Sequence, residues 1–119
     1  MERRHVRMDV WKESVALVCR IYEISSRFPG DERFGLTSQM RRSAISIPSN
    51  IAEGAARGSD RDFLRFLYIA RGSLAELETQ IIIATQLGYI EPQYHWQPEL
   101  ERLFAKLAAL IHKLRTAVG

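Results

Sequence analysis

At 119 residues the chain has room for one hydrophobic core and not for two. An apolar share of 46% excludes a disordered chain, and no unbroken apolar run, Ile81-Ile82-Ile83-Ala84 included, comes near the roughly 20 residues that span a bilayer. The 17 Lys and Arg exceed the 14 Asp and Glu only mildly, and one cysteine, Cys19, excludes an internal disulfide framework.

Residues 1–8 read as a basic N-terminal tail without the apolar stretch of a signal peptide, so a soluble cytoplasmic protein is expected. Nearly all the cations are arginines; the only lysines are Lys12, Lys106 and Lys113. The guanidinium fork suits phosphates and carboxylates, although an arginine-biased genome would produce the same composition.

Helix 1 is predicted from Met8 to about Arg27, with Asp9 as N-cap. Val10, Trp11, Val15, Leu17, Val18, Ile21, Tyr22 and Phe28 recur at three- and four-residue steps and form one apolar face. Glu13, Arg20, Glu23 and Arg27 lie opposite, and Glu23 with Arg27 makes an i,i+4 pair worth a few tenths of a kcal/mol. Pro29-Gly30-Asp31 stops the helix. Helix 2 runs from about Thr37 to Ala55, with Leu36, Met40, Ala44, Ile47, Ile51 and Ala55 on one side. Pro48 lies inside this pattern and lacks the N–H that would bond the Ala44 carbonyl. Either the helix kinks there or two shorter helices abut; the unbroken apolar phase favours a kink. The small residues Ser43, Ala44 and Ser46 allow another helix to come close.

A break is expected from Gly54 to Gly58, and Ser59-Asp60-Arg61-Asp62 then resembles a capping box with an acid at the third position. Helix 3 follows to about Leu87, with Phe63, Phe66, Leu67, Ala70, Leu74, Leu77, Ile81 and Ala84 as a near-heptad seam and Gly88 as its stop. Tyr89 to Gln97 is a connector, and Pro98 suits the first position of helix 4, whose seam is Leu100, Leu103, Phe104, Leu107, Leu110, Ile111, Leu114 and Val118. No useful β-type alternation occurs. The expected fold is all-α: an antiparallel up-down four-helix bundle with a proline-kinked second helix.

Helix 3 carries more apolar surface than one seam needs. Leu64, Tyr68, Ala75 and Ile82 lie about 100–120° around from the seam at ~100° per residue, and Ile83 points further out. Such a line marks a partner surface, here self-association, unless it only widens the core of a central helix.

Nothing in the sequence resembles a catalyst. Cys19 has no nearby histidine and reads as a buried or half-buried thiol; His5, His95 and His112 are scattered, and the Glu-x-x-His pairs of a bundle metal site are absent. No metal or cofactor is expected. Gly54-Ala55-Ala56-Arg57-Gly58-Ser59 lacks the Gly-Lys-Ser/Thr end of a phosphate loop, and Asp60 and Asp62 would repel phosphate. The better candidate is nucleic-acid binding. Arg57, Arg61 and Arg65 step by four at the start of helix 3, Arg41 and Arg42 lie on helix 2, and Arg102, Lys106 and Lys113 line one edge of helix 4. The competing reading is a solvated face laced with ion pairs.

Three segments carry a resemblance: Arg33-Phe34-Gly35-Leu36-Thr37-Ser38-Gln39-Met40-Arg41-Arg42, then Ser46-Ile47-Pro48-Ser49-Asn50-Ile51-Ala52-Glu53-Gly54, then Gly72-Ser73-Leu74-Ala75-Glu76-Leu77-Glu78-Thr79-Gln80. From about Trp11 to Ile90 the chain resembles the bacterial four-helix-bundle proteins encoded in intervening sequences of large-subunit ribosomal RNA genes. That resemblance implies a helical bundle assembling as a homopentameric ring. It also implies kinship with the accessory variability protein of diversity-generating retroelements, which binds a reverse transcriptase and its template RNA. The polar contacts it implies involve Gln39, Asn50, Glu53, Ser73 and Glu76, read as structural. The functional expectation is a non-enzymatic, basic oligomeric scaffold for RNA or a nucleoprotein partner. The alternative is a protein–protein interaction module with no nucleic-acid binding.

Overall fold

The apolar seams become the inner faces of four helices. α1 spans Asp9–Ser25, α2 Leu36–Ala56, α3 Asp60–Gln86 and α4 Gln97–Val118, with 3-10 turns at Arg4–Arg7 and Gly30–Glu32. The structure, a computed structural model, describes residues 2–119, and among these there is no strand. Each helix packs on its sequence neighbours and α4 returns to α1, with the α2–α3 contact the most extensive. The resulting bundle measures 46 × 25 × 21 Å.

Contacts along α2 and α3 run in opposite order. Ser46 meets Ser73, whereas Gly54, two turns later, faces Phe63 and Phe66. On the other side Arg20 of α1 reaches Glu99 of α4, while the earlier Glu13 reaches the later Arg102 and Lys106. One end of the bundle therefore gathers the start of α1, the α2–α3 turn and the end of α4. The other, the connector end, gathers the α1–α2 and α3–α4 connections.

Several boundaries differ from expectation, each for a local reason. Met8, not Asp9, is the N-cap of α1: its backbone is extended and its carbonyl accepts the Trp11 and Lys12 N–H groups, which leaves Asp9 in the first turn, where its charge suits the helix dipole. α2 is one helix through Pro48, so two abutting helices are not what forms. Gly54 to Ala56 belong to α2 and the break shrinks to Arg57–Ser59. Gly54 is there because α3 comes too close for a side chain. A Cβ would lie 2.7 Å from the Phe66 Cβ and 2.9 Å from the Phe63 ring. Ser59 caps α3 as expected, its hydroxyl accepting the Asp62 N–H at 3.2 Å. Gly88 ends α3 with φ +82°, a backbone state costly for other residues.

The core contains Leu17, Ile21, Met40, Ile47, Ile51, Leu67, Leu74, Leu77, Leu103 and Leu107, all fully buried, and every residue of the predicted α3 seam is buried. Ile90 and Trp96 close the connector end. The buried Ser14 donates to the Trp11 carbonyl at 2.7 Å, which satisfies a hydroxyl that would otherwise destabilise the core. Cys19 is exposed on α1, not buried, because its position falls outside the apolar face. Among the described residues no helix is long and apolar enough to cross a membrane.

Candidate functional site

The cations singled out from the sequence do not form one stripe. Arg57, Arg61 and Arg65 lie at the α2–α3 end, and Arg57 sits in the turn after α2, not on α3. Its guanidinium pairs with Glu53 at 2.8 Å and lies 4.9 Å from the Phe66 ring centre. Arg65 covers the same ring at 4.6 Å and approaches Asp62 at 3.7 Å. Arg4, from the segment read as a tail, lies over the Phe63 ring at the same end. Arg41, toward the connector end, donates to the Ser25 hydroxyl at 2.9 Å and the Tyr22 carbonyl at 3.3 Å, so it caps the last turn of α1. Arg102 and Lys106 converge on Glu13 at 2.6 and 2.5 Å. The Lys106 hydrogen bond, aided by Arg102, holds the Glu13 carboxyl below its ordinary range against the opposing effect of burial. Among the described residues Arg42, Arg61 and Lys113 make no ion pair, and Arg42 shares the α2–α3 groove with Glu76.

The expected apolar line on α3 runs beside α4. Leu64 and Tyr68 border the last turns of α4 near His112 and Arg115, and Ile82 borders the start of α4 near Tyr94 and Trp96. Leu64 is half-buried and Ala75 exposed; Tyr68, Ile82 and Ile83 expose 38, 51 and 44% of their surface. Ile69 on α3 and Leu87 just after it, neither expected to be part of the line, are also exposed, and Phe34 in the α1–α2 connection is 90% exposed. Phe34 stands in no periodic pattern, so nothing in the sequence separates it from a core aromatic.

Between α2 and α3 an open groove of about 380 Å³ is lined by Gln39, Arg42, Ser43, Ser46, Ser73 and Glu76. The Ser46 and Ser73 hydroxyls are 2.8 Å apart, and Asn50 donates to the Ser46 carbonyl and hydroxyl at 2.8 and 2.9 Å. Ser46 and Ser73 thus join the two helices, Asn50 supports Ser46 from within α2, Glu53 holds Arg57, and Gln39 and Glu76 line the groove walls. No histidine, lysine or cysteine lines this groove. Among the described residues no three His, Cys, Asp or Glu side chains cluster as metal ligands would.

A further link was missed from the sequence. Glu32 accepts the Leu36 N–H at 3.2 Å, capping α2 from outside the helix, and accepts the Tyr89 hydroxyl at 2.9 Å. That bond to a carboxylate, with desolvation, holds the Tyr89 phenol above its ordinary value. Tyr89 also packs on Phe28 with ring centres 5.4 Å apart, so one carboxylate ties the two connections together.

The family profile described as 23S rRNA-intervening sequence protein matches residues 6–113. A crystal structure of a protein of unknown function from the S23 ribosomal protein family of Bacteroides thetaiotaomicron is similar in fold. Its TM-score is 0.64 at 23% identity, over 92% of this chain and 97% of that one. No curated protein matches the chain.

Proposed function

The chain belongs to the 23S rRNA-intervening sequence protein family, and from that premise we propose that it is a non-enzymatic, self-associating scaffold that binds RNA or a nucleoprotein partner. The observation that carries self-association is the exposed apolar surface of α3. Tyr68, Ile82 and Ile83 lie open to water on a small bundle whose core is already complete without them. Apolar side chains left open to water in this way are candidates for a partner site. Repetition of the chain in an assembly would repeat Arg42, Arg61 and Lys113, and several weak phosphate contacts then act as one stronger site. A homopentamer and a reverse transcriptase partner are the finer forms of this reading, drawn from the family resemblance.

A second reading, a protein-interaction module without nucleic acid, is favoured by a specific observation. Arg57, Arg65, Arg102 and Lys106 are engaged by Glu53, Asp62 and Glu13 within the chain. A gel shift with structured RNA across a salt series separates the two readings. RNA binding predicts an affinity that falls with salt and drops at least several-fold in Arg61→Glu. An affinity indifferent to both leaves the protein-interaction reading standing.

A further inference from the structure

Two apolar features at the connector end lie on opposite edges of the bundle. On the α1–α2 edge, Phe34 projects into solvent beside Tyr22 and Ile45. On the α3–α4 edge, Ile81, Ile82, Tyr94 and Trp96 line a groove of about 260 Å³. The helices contact only their sequence neighbours, with α4 closing on α1, so these two edges face away from each other. Both stand at the same level along the long axis. Glu32, two residues before Phe34, is bonded to Tyr89, and Arg20 of α1 lies over the Trp96 ring.

We propose that Phe34 of one copy inserts into the Ile82–Trp96 groove of the next, joining copies head to tail. This rests on the self-associating reading above and names its two surfaces. Size fits: a cavity of about 150 Å³ holds a benzene ring, and the groove offers more. The groove also presents one exposed aromatic, Tyr94, which stacks on the buried Trp96 with centres 5.6 Å apart. The knob is held in place before contact. Glu32 is fixed by its bonds to Leu36 and Tyr89, and the Arg33 guanidinium lies 5.5 Å from the Phe34 ring.

Charge complements shape. Around Phe34 stand Arg33, Arg41 and Arg42. Outside the groove lining, Glu78 lies one helical turn before Ile82, and Glu91 lies three residues before Tyr94 with its carboxylate accepting from the Gln93 amide. Neither Glu78 nor Glu91 has an ion-pair partner among the described residues. A knob and a hole on different patches make a heterologous contact, which propagates from copy to copy and closes into a ring when the rotation between copies allows it.

The test is light scattering after size exclusion at micromolar concentration, on the full chain and on Phe34→Glu and Ile82→Glu. Both positions are exposed, so the variants are expected to keep wild-type helical content by circular dichroism; Phe34→Ser repeats the knob test without an added charge. The expected result is an assembled wild type and single chains of 13.7 kDa for each variant alone. An equimolar mixture of Phe34→Glu with Ile82→Glu should then form a species of two chains, since one intact knob meets one intact groove and the series stops there. Wild-type assembly in Phe34→Glu and Phe34→Ser, or a mixture that stays at one chain, overturns the pairing while leaving self-association intact. A single-chain wild type overturns the self-associating reading itself.

Discussion

The two helix interfaces that flank α1 and α3 are built on opposite principles. α2 and α3 meet through small residues. Gly54 lets Phe63 and Phe66 press on the α2 backbone, and a Ser46–Ser73 hydrogen bond supported by Asn50 links the helices further along. α1 and α4 are bridged at their outer edge by long charged side chains, Arg20 with Glu99 and Glu13 with Arg102 and Lys106. Close backbone approach fixes geometry and tolerates little change in volume. Long ion pairs at partial exposure adapt to change and contribute modestly. The α2–α3 hairpin is thus the rigid half of the molecule and the α1–α4 seam the adaptable one.

The comparison can be broken most severely inside the rigid half. Ile51 of α2 is fully buried, and Ile51→Ala should cost about 2–5 kcal/mol of unfolding free energy by urea titration. Gly54→Ala is the sharper probe, because alanine is intrinsically the better helix former by about 1 kcal/mol. Here its Cβ would stand 2.7 Å from the Phe66 Cβ and 3.3 Å from the Phe63 carbonyl oxygen, so a net loss of about 1–3 kcal/mol is expected. A stabilised Gly54→Ala would mean that the two helices can part without cost.

The adaptable seam should respond less. Glu13 keeps 27% of its side chain exposed, so Glu13→Gln is expected to cost about 1 kcal/mol or less near neutral pH, and less again in high salt. Its folded-state carboxyl is depressed below 4.5, chiefly by Lys106. The stabilisation is therefore present above pH 4.5 and is lost as pH falls through the folded value. Thermal melts of wild type and Glu13→Gln should differ at pH 7 and converge on acidification below 4.5. A gap that widens in acid would contradict the pairing.

Legibility followed the range of the forces involved. Ser59 and Gly88 act on their own backbone within a turn or so, and both were readable as helix punctuation. The α3 seam was readable because burial repeats at helical spacing. Glu32 was not, because its two partners, Leu36 and Tyr89, lie 4 and 57 residues away and only the fold brings the second one near. The pairing of Arg102 and Lys106 with Glu13 was hidden for the same reason. Cations that line one edge of a helix look like a phosphate track until the neighbouring helix supplies the carboxylate.

By itself the sequence determined the four helices, most of their ends and the inward face of each, since propensity, capping and periodicity are properties of short stretches. It also determined that α3 carries surplus apolar surface. Only the tertiary structure decided which charges are spent inside the chain, why Gly54 must lack a side chain, and that Phe34 and the Ile82–Trp96 groove stand at one level on opposite edges. Those depend on distances between residues far apart in the chain, and such distances exist only once the helices have closed on one another.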